Sequence, residues 1–143
     1  PLAINWRMAG YGIELSRSHI LIVGNGRLVG RPLAAMWRRS GYDVTVVDDT
    51  VDDLKTATRH ADVIVTATGV AGLITSDMIA PDTVVVDAGT SSESGVIRGD
   101  VADDVRERTD LTITPIRGGV GPLTVAALFD NVIRAAQATT KKD

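Results

Sequence analysis

Short apolar runs alternate with amphipathic segments along most of this chain. Each run is rich in Val and Ile and ends near Gly, Pro or Asp, a pattern that predicts buried β-strands. The predicted strands are His19–Val23, Asp43–Val47, 62–66, Val84–Asp87 and 111–114. Helical spacing and helix-end residues predict helices over 4–11, 29–39, 51–60, 75–79, 101–108 and 124–137. The Ser- and Gly-rich segment 89–99 is typical of a loop.

The alternation of strands and helices predicts a parallel sheet covered on both faces. We therefore expect an α/β fold, a Rossmann-like doubly wound sheet in three α/β/α layers, with residues 1–143 forming one domain. Composition agrees, since 44% of residues are hydrophobic but only 3% are aromatic, so the core must be built from Val, Ile, Leu and Ala. The closing helix carries Val125, Leu128, Val132 and Ala136 at helical spacing.

Charge and composition exclude several classes of partner. The net charge is −3 with no basic stripe, so we expect no nucleic-acid partner. The apolar runs are too short to span a bilayer and the first residues lack a signal-peptide pattern, so we expect no membrane partner and a cytoplasmic location. The lack of Cys excludes disulfides and thiolate chemistry. The chain begins with Pro1 rather than Met, which suggests a piece of a longer protein.

A glycine-rich turn follows the first predicted strand. Residues 24–30 read G-N-G-R-L-V-G, one residue longer than the usual dinucleotide fingerprint. Gly24 suits a tight turn, Gly26 would let the backbone approach a pyrophosphate, and the following helix N-terminus favours phosphate. We predict cofactor binding by Gly24, Asn25, Gly26, Arg27, Leu28 and Val29. The alternative is a tight turn with packing glycines and no ligand.

Two acidic residues end the second predicted strand. Asp48 and Asp49 lie about 20 residues after the glycines, where an acid typically accepts hydrogen bonds from the adenosine ribose hydroxyls. A carboxylate there also repels a 2′-phosphate, so NAD is the expected cofactor and NADP is less favoured. The alternative is that these acids, with Asp52 and Asp53, cap the next helix.

The third and fourth strands end in segments that a doubly wound sheet would place at the same edge. We predict that Thr66, Ala67 and Thr68 line the cofactor site, although Thr68 could serve only as a turn residue. The same prediction covers Asp87, Ala88 and Gly89. The Asp87 side chain could orient loop backbone, or it could be an ordinary turn aspartate with its hydrogen bonds satisfied locally.

A loop rich in Gly and Pro precedes the closing helix. Its composition is typical of a shaped, mobile segment that closes over a nicotinamide or a substrate, and Pro122 fits the first turn of that helix. A simple connector is the alternative. The predicted cleft residues are Pro115, Ile116, Arg117, Gly118, Gly119, Val120, Gly121 and Thr124.

Candidate catalytic and metal-binding groups are scarce. Neither His19 nor His60 has a partner at metal-ligand spacing, so no metal site is predicted. The three lysines, Lys55, Lys141 and Lys142, lie outside the segments that carry the motifs. We therefore predict no catalytic residue in this chain.

The segment 114–124 resembles the T-P-V-P-G-G-V-G-P-M-T signature of the methylenetetrahydrofolate dehydrogenase/cyclohydrolases, with Arg117 in place of the second proline. The glycine-rich turn is similar to the family's G-x-S-x-x-V-G-x-P, with Gly26 in place of the serine. The order of motifs agrees over nearly the whole chain. Further matches are Tyr11-Gly12-Ile13, Asp87-Ala88-Gly89 and Gly99-Asp100-Val101.

The resemblance implies a C-terminal domain that binds NAD(P) while a separate N-terminal domain supplies a tyrosine, a lysine and most of the folate cleft. The full protein would oxidise 5,10-methylenetetrahydrofolate to the methenyl form and hydrolyse that to 10-formyltetrahydrofolate. This chain alone is expected to be inactive, and a homodimer is implied because family members are commonly dimers. Exposed apolar surface at the open cleft and on helix 4–11 is expected to promote self-association.

Three departures from the family pattern bear on the cofactor. Gly26 stands where the family has a phosphate-contacting serine, and Asp48 and Asp49 stand where NADP-using members carry His with Arg or Ser. Both fit a changed cofactor preference, while Arg117 places a cation near the cleft. Two other hypotheses stay open: an NAD-binding module without catalysis, and a different dehydrogenase with a related cofactor domain.

Overall fold

A five-stranded parallel sheet forms the centre of the molecule. The computed structural model describes residues 1–93, 96–116 and 118–140. Its central strands are β1 (His19–Val23), β2 (Asp43–Val47), β3 (Val63–Thr66), β4 (Val84–Asp87) and β7 (Thr112–Ile113), in the order β2-β1-β3-β4-β7. The chain therefore reverses direction across the sheet between β1 and β3, which is the switch point where doubly wound proteins bind ligands. The predicted fold class is confirmed.

Helices cover both faces of this sheet. They are α1 (Leu2–Gly10), α2 (Gly30–Arg39), α3 (Leu54–Arg59), a 3₁₀-helix (Ser76–Met78), α4 (Asp103–Arg106) and α5 (Gly121–Thr140). Successive side chains of a strand point to opposite faces of the sheet, so alternate residues of β1 contact different helices. Ile20 and Ile22 pack with α1 and α2, whereas Leu21 and Val23 pack with α3 and α4. The predicted three-layer arrangement is therefore present.

The largest buried side chain shows how the layer of α1 and α2 is held. Trp37 of α2 is fully buried among aliphatic residues of β1 and β3. Its Nε1 donates a hydrogen bond of 3.0 Å to Oδ1 of Asn5 on α1. The single polar atom of the indole is thus satisfied, and the bond fixes α1 against α2.

The segment 89–99 and the start of helix α3 differ from the predictions. The segment 89–99, predicted as a loop, contains an antiparallel hairpin of β5 (Ser91–Glu93) and β6 (Val96–Arg98). Its strands are short and lie outside the main sheet, so they carry no buried apolar run that a pattern could detect. Helix α3 begins at Leu54 rather than at residue 51, because the side chain of Asp53 accepts the Thr56 amide and caps the helix there.

The closing helix α5 presents an apolar surface to solvent. It is longer than the predicted 124–137, and Pro122 lies in its first turn as expected. Helix α1 packs against α5 and buries Ala3, Ile4 and Met8, so helix 4–11 is less exposed than we expected. At the open cleft, the expected apolar surface includes the exposed side chains of Leu28 and Ile116. Each exposed apolar side chain of α5 retains more than half of its accessible surface: Val125, Leu128, Phe129, Val132 and Ile133. Among the described helices, none combines the length and hydropathy needed to cross a membrane.

Candidate dinucleotide-binding site

The glycine-rich turn lies at the switch point of the sheet. Gly24 directly follows β1 with φ +108°, a conformation that favours glycine. A Cβ at this residue would lie 2.6 Å from the carbonyl oxygen of Ala67, which follows β3. The Gly24 amide donates to the Val47 carbonyl at the end of β2, at 2.8 Å. The first glycine therefore brings the ends of three strands together.

The rest of the turn leads into α2. A Cβ at Gly30 would overlap the Gly24 carbonyl, so this glycine permits the close approach of helix and turn that the fingerprint requires. At Gly26, in contrast, no described atom lies within 4 Å of a built Cβ. The Arg31 amide donates to the Gly26 carbonyl at 3.0 Å, and α2 begins without a side-chain cap. The turn thus leaves open space over Gly26 where a phosphate could approach the backbone.

Asp48 is held at the end of β2. Its Oδ1 accepts hydrogen bonds from the hydroxyl of Thr50 at 2.7 Å and from the Thr50 amide at 3.2 Å. These bonds lower the pKa of the Asp48 carboxyl, and the side chain of Asn25 contributes in the same direction. The ionised form of Asp48 is therefore favoured, mainly by Thr50 and to a smaller extent by Asn25 of the glycine-rich turn.

The neighbouring acids have separate places. Asp49 is exposed in the turn after β2, while Asp53 caps α3. Hydrogen bonds from the Thr56 side chain and amide lower the pKa of the Asp53 carboxyl. The capping interpretation therefore applies to Asp53, whereas Asp48 and Asp49 directly follow β2, at the edge of the sheet that carries the glycine-rich turn.

The predicted residues after β3 divide into buried and accessible groups. Thr66 is fully buried, and its hydroxyl donates to Oδ1 of Asp87 at 3.3 Å. Its side chain therefore supports the edge from inside the domain and offers no surface to a ligand. Thr68 is partly exposed, and its hydroxyl accepts the Val70 amide at 3.1 Å. This bond agrees with the turn role that we considered for Thr68.

Asp87 is occupied by protein groups rather than turned toward solvent. Its Oδ2 lies 2.5 Å from Nη2 of Arg106, and the two side chains are only 4% and 15% exposed. The carboxylate also accepts the amides of Asp100 and Val101 at 3.0 and 3.3 Å. The alternative interpretation of Asp87, an acid that orients loop backbone, matches this geometry, and the side chain is not available as a cofactor ligand.

A second buried carboxylate lies beside the first. Asp100 is fully buried and accepts the amides of Thr68 and Gly69 at 2.6 and 2.9 Å. Two glycines make room for the pair, since a Cβ at Gly89 would overlap the Asp100 carboxylate and one at Gly99 would overlap that of Asp87. The motifs D-A-G and G-D-V therefore fit into each other.

Our sequence predictions missed Arg106 and any role for Asp100. The partner of Arg106 is 19 residues away, in a segment predicted only as a short helix, so no local pattern identifies it. The signal that was available is the repeated pairing of an aspartate with a nearby glycine in residues 87–89 and 99–100.

The loop before α5 lines a cleft of about 840 Å³. Leu28 and Val29 of the glycine-rich turn line the same cleft, as do Ala88 and Gly89 after β4. Arg7 of α1 donates to the Gly118 carbonyl at 2.7 Å, which ties the loop to the domain. The loop and the start of α5 contribute Pro115, Ile116, Gly118, Gly119, Val120, Gly121 and Thr124.

The predicted cleft residue Arg117 lies outside the described residues. Within the described ranges, no group of three or more His, Cys, Asp or Glu side chains is arranged to hold a metal ion. The site is therefore a mainly apolar cleft joined to a polar edge that carries the glycine-rich turn and Asp48.

Comparison with known proteins identifies relatives of this chain. A family model described as the NAD(P)-binding domain of tetrahydrofolate dehydrogenase/cyclohydrolase matches residues 1–140. The bifunctional protein FolD of Desulforamulus reducens is 44% identical over 126 residues, which cover 88% of this chain and 44% of that protein. The bifunctional protein FolD of Nitrosomonas eutropha is 41% identical over 139 residues, covering 96% and 47%. The chain therefore spans about half the length of these relatives.

Solved structures agree in fold. The bifunctional FolD methylenetetrahydrofolate dehydrogenase/cyclohydrolase of Campylobacter jejuni superposes with a TM-score of 0.88 at 38% identity, covering 97% of this chain and 50% of that one. The corresponding enzyme of Trypanosoma brucei, solved with NADP cofactor and an inhibitor, gives a TM-score of 0.85 at 30% identity with the same coverage.

Proposed function

This chain belongs to the tetrahydrofolate dehydrogenase/cyclohydrolase family as an NAD(P)-binding domain, and we propose that it serves as the cofactor-binding half of such an enzyme. In the longer protein, 5,10-methylenetetrahydrofolate would be oxidised to the methenyl form and then hydrolysed to 10-formyltetrahydrofolate. The observation that carries the proposal is a cleft lined both by the 115–121 loop and by the glycine-rich turn, which lies at the switch point of the sheet.

The residues of this edge fit a nicotinamide dinucleotide. Open space over Gly26 and the uncapped start of α2 suit the pyrophosphate, and the anchored carboxylate of Asp48 suits a ribose diol. The bound cofactor would accept a hydride from the folate, so the task of the protein is to orient the two reactants. The apolar walls at Leu28 and Val29 would exclude water from the nicotinamide.

The proposal assigns proton transfer to residues beyond these 143. Among the described residues that line the cleft, Asp87 and Arg106 carry the charged side chains, and the buried Asp87 carboxylate is paired with the largely buried Arg106 guanidinium. A general acid or base must reach the substrate with an exchangeable proton, which this pair does not offer. The chain alone should therefore bind cofactor without turning over folate.

We further propose that NAD is preferred to NADP. Asp48 is ionised and fixed by Thr50, and exposed Asp49 adds a second negative charge beside it. A 2′-phosphate placed there would meet two carboxylates and lose binding energy through repulsion. The NADP-bound relative from Trypanosoma brucei shows only what that protein binds.

Calorimetric titration of the chain with NAD and with NADP tests this proposal. We expect tighter binding of NAD, weakened by Asp48→Ala or Asp49→Ala and unaffected by Asp52→Ala, a neighbouring exposed acid that serves as the control. Tighter binding of NADP would contradict the preference. In the longer protein, NAD-dependent oxidation of methylenetetrahydrofolate would support the enzyme, whereas cofactor binding without turnover would identify a non-catalytic binding module.

A further inference from the structure

We infer that Asp100 and Arg106 are positioning residues that hold the turn after β3 and the start of the loop before α5 in register around the nicotinamide end of the cofactor. The inference rests on the proposed function and concerns residues that contact other protein groups rather than the ligand. The side chains of Asp87, Asp100 and Arg106, which we call the edge network, are joined by hydrogen bonds and are largely or fully shielded from solvent.

One end of the edge network holds the turn after β3. Both carboxylate oxygens of Asp100 accept backbone amides, Oδ2 from Thr68 and Oδ1 from Gly69. The backbone of Gly69 has φ +75°, a conformation that few residues other than glycine adopt. A buried carboxylate that accepts two adjacent amides fixes their direction, and an amide side chain could accept only one of them.

The other end holds the start of the loop before α5. Arg106 donates through Nη1 to the Thr114 carbonyl at 3.0 Å and through Nη2 to Asp87. The Thr114 hydroxyl accepts the Asp87 amide at 2.9 Å. Because the guanidinium is planar and its donors are fixed, it joins Asp87 to Thr114 in one orientation.

Asp87 connects these two ends. Its carboxylate accepts the Asp100 amide, so the position of the Asp100 side chain depends on Asp87, which in turn depends on Arg106. In the sheet, β3 and β7 are separated by β4 and share no hydrogen bonds. The side chains of the edge network therefore join two loops that the sheet does not place in direct contact.

The location of the network suggests which part of the cofactor it serves. The adenosine end is expected at β2, beside Asp48, and the pyrophosphate at the turn after β1. The nicotinamide end then lies toward β3, β4 and β7, where Thr68, Gly89 and Thr114 follow their strands. Loosening the network should therefore weaken contacts to the nicotinamide riboside and leave the adenosine end unchanged.

Two variants test the inference. Asp100→Asn preserves shape but places a donor against a backbone amide, and Arg106→Lys keeps the charge but cannot bridge Asp87 and Thr114. Ile64→Val, in the fully buried centre of β3, is the control for a general loss of stability. Each protein is titrated with NAD and with ADP, which carries the adenosine and pyrophosphate but no nicotinamide riboside. Amide hydrogen exchange at Thr68 and Gly69 is measured without ligand.

We expect Asp100→Asn to speed exchange at both amides and to weaken NAD binding roughly tenfold, the effect of losing about one charge-assisted hydrogen bond. ADP affinity should change by less than about twofold, because its contacts lie elsewhere. Arg106→Lys should also weaken NAD binding without weakening ADP binding, but by a smaller factor. This second variant tests the inference if Asp100→Asn does not fold. The control should show neither effect.

Equal weakening of NAD and ADP by both variants, or unchanged exchange at Thr68 and Gly69, would overturn the inference. A wild-type chain that binds neither NAD nor NADP would instead contradict the proposed function. In that case the exchange measurement still decides whether Asp100 and Arg106 hold these loops.

Discussion

Nζ of Lys55 on α3 lies 2.5 Å from Oδ2 of Asp77 in the 3₁₀-helix. This pair joins two elements on the same face of the sheet, where the side chain of Thr75 also donates to Asp77 at 2.6 Å. The hydrogen bond from Lys55, followed by that from Thr75, lowers the pKa of the Asp77 carboxyl from 3.8 to about 2. Ionised Asp77 therefore favours the folded state.

This pKa gives a prediction for acid stability. Because the folded-state pKa lies below the ordinary value, the stabilisation is fully present above pH 3.8 and is lost as the pH falls toward 2. Asp77→Asn should therefore flatten the fall in unfolding free energy across that window, measured by urea denaturation at each pH. Both side chains are at least half exposed, so the effect should be small and should shrink in high salt. An unchanged slope relative to Asp52→Asn would contradict the prediction.

The interlocked motifs predict a strong effect of one methyl group. Gly89→Ala should lower the unfolding free energy by about 2 kcal/mol or more, because the new Cβ overlaps the buried Asp100 carboxylate and neither can move into solvent. Chemical denaturation measures the loss. Gly26→Ala is the matched control, since open space surrounds that position among the described residues. Similar stability of the two variants would show that the segment 87–100 adjusts freely.

Substitutions of Asp49 and Asp53 should distinguish ribose binding from helix capping in the segment 48–53. Asp53→Ala removes the cap of α3 and should lower Tm by a few degrees without changing NAD affinity. Asp49→Ala should leave Tm unchanged and weaken NAD binding roughly tenfold, as expected for the loss of a charged hydrogen-bond acceptor. Thermal denaturation measures the Tm of each variant, and calorimetry measures its NAD affinity. A loss of both properties in either variant would mean that cap and ribose site are not independent.

The exposed face of α5 predicts self-association of this chain at high concentration. Leu128 and Val132 lie one turn apart and are 60% and 58% exposed, within a larger apolar surface. The double variant Leu128→Glu/Val132→Glu should shift the chain toward monomer in sedimentation velocity experiments. Ala126→Glu on an exposed position of the same helix is the control for added charge. Wild-type chain that sediments as a monomer at every concentration would contradict the prediction.

The strands were the most predictable part of the fold. The bounds of β1, β2 and β4 agree with the apolar runs because each run is rich in β-branched residues, and β1 and β4 are in addition buried on both faces. The position of the glycine-rich turn follows from the same runs, since a turn after β1 must lie at the switch point. The three glycines of the turn differ in environment, however. Gly24 and Gly30 are crowded while Gly26 faces open space, and this difference depends on packing that a sequence does not display.

Other features depend on contacts between distant residues. The start of α3 was misplaced because Asp48, Asp49, Asp52 and Asp53 are all acceptable caps, and only the Thr56 contact distinguishes Asp53. Arg106 resembled an ordinary surface residue on a short helix, but its side chain is only 15% exposed and pairs with a carboxylate from β4. The orientation of α5 could not be derived either, because helical spacing shows that a helix has an apolar face without showing what covers it.

The mutual fit of residues 87–89 and 99–100 also limits which substitutions homologues can accumulate and which chimaeras can fold. Because Gly89 accommodates Asp100 and Gly99 accommodates Asp87, the two motifs form one unit although a hairpin separates them. A single exchange at one of these positions would be costly, so divergent homologues should change the motifs together. A chimaera that replaces the hairpin should therefore keep all four residues from one parent, and the segment between them is the part that can diverge.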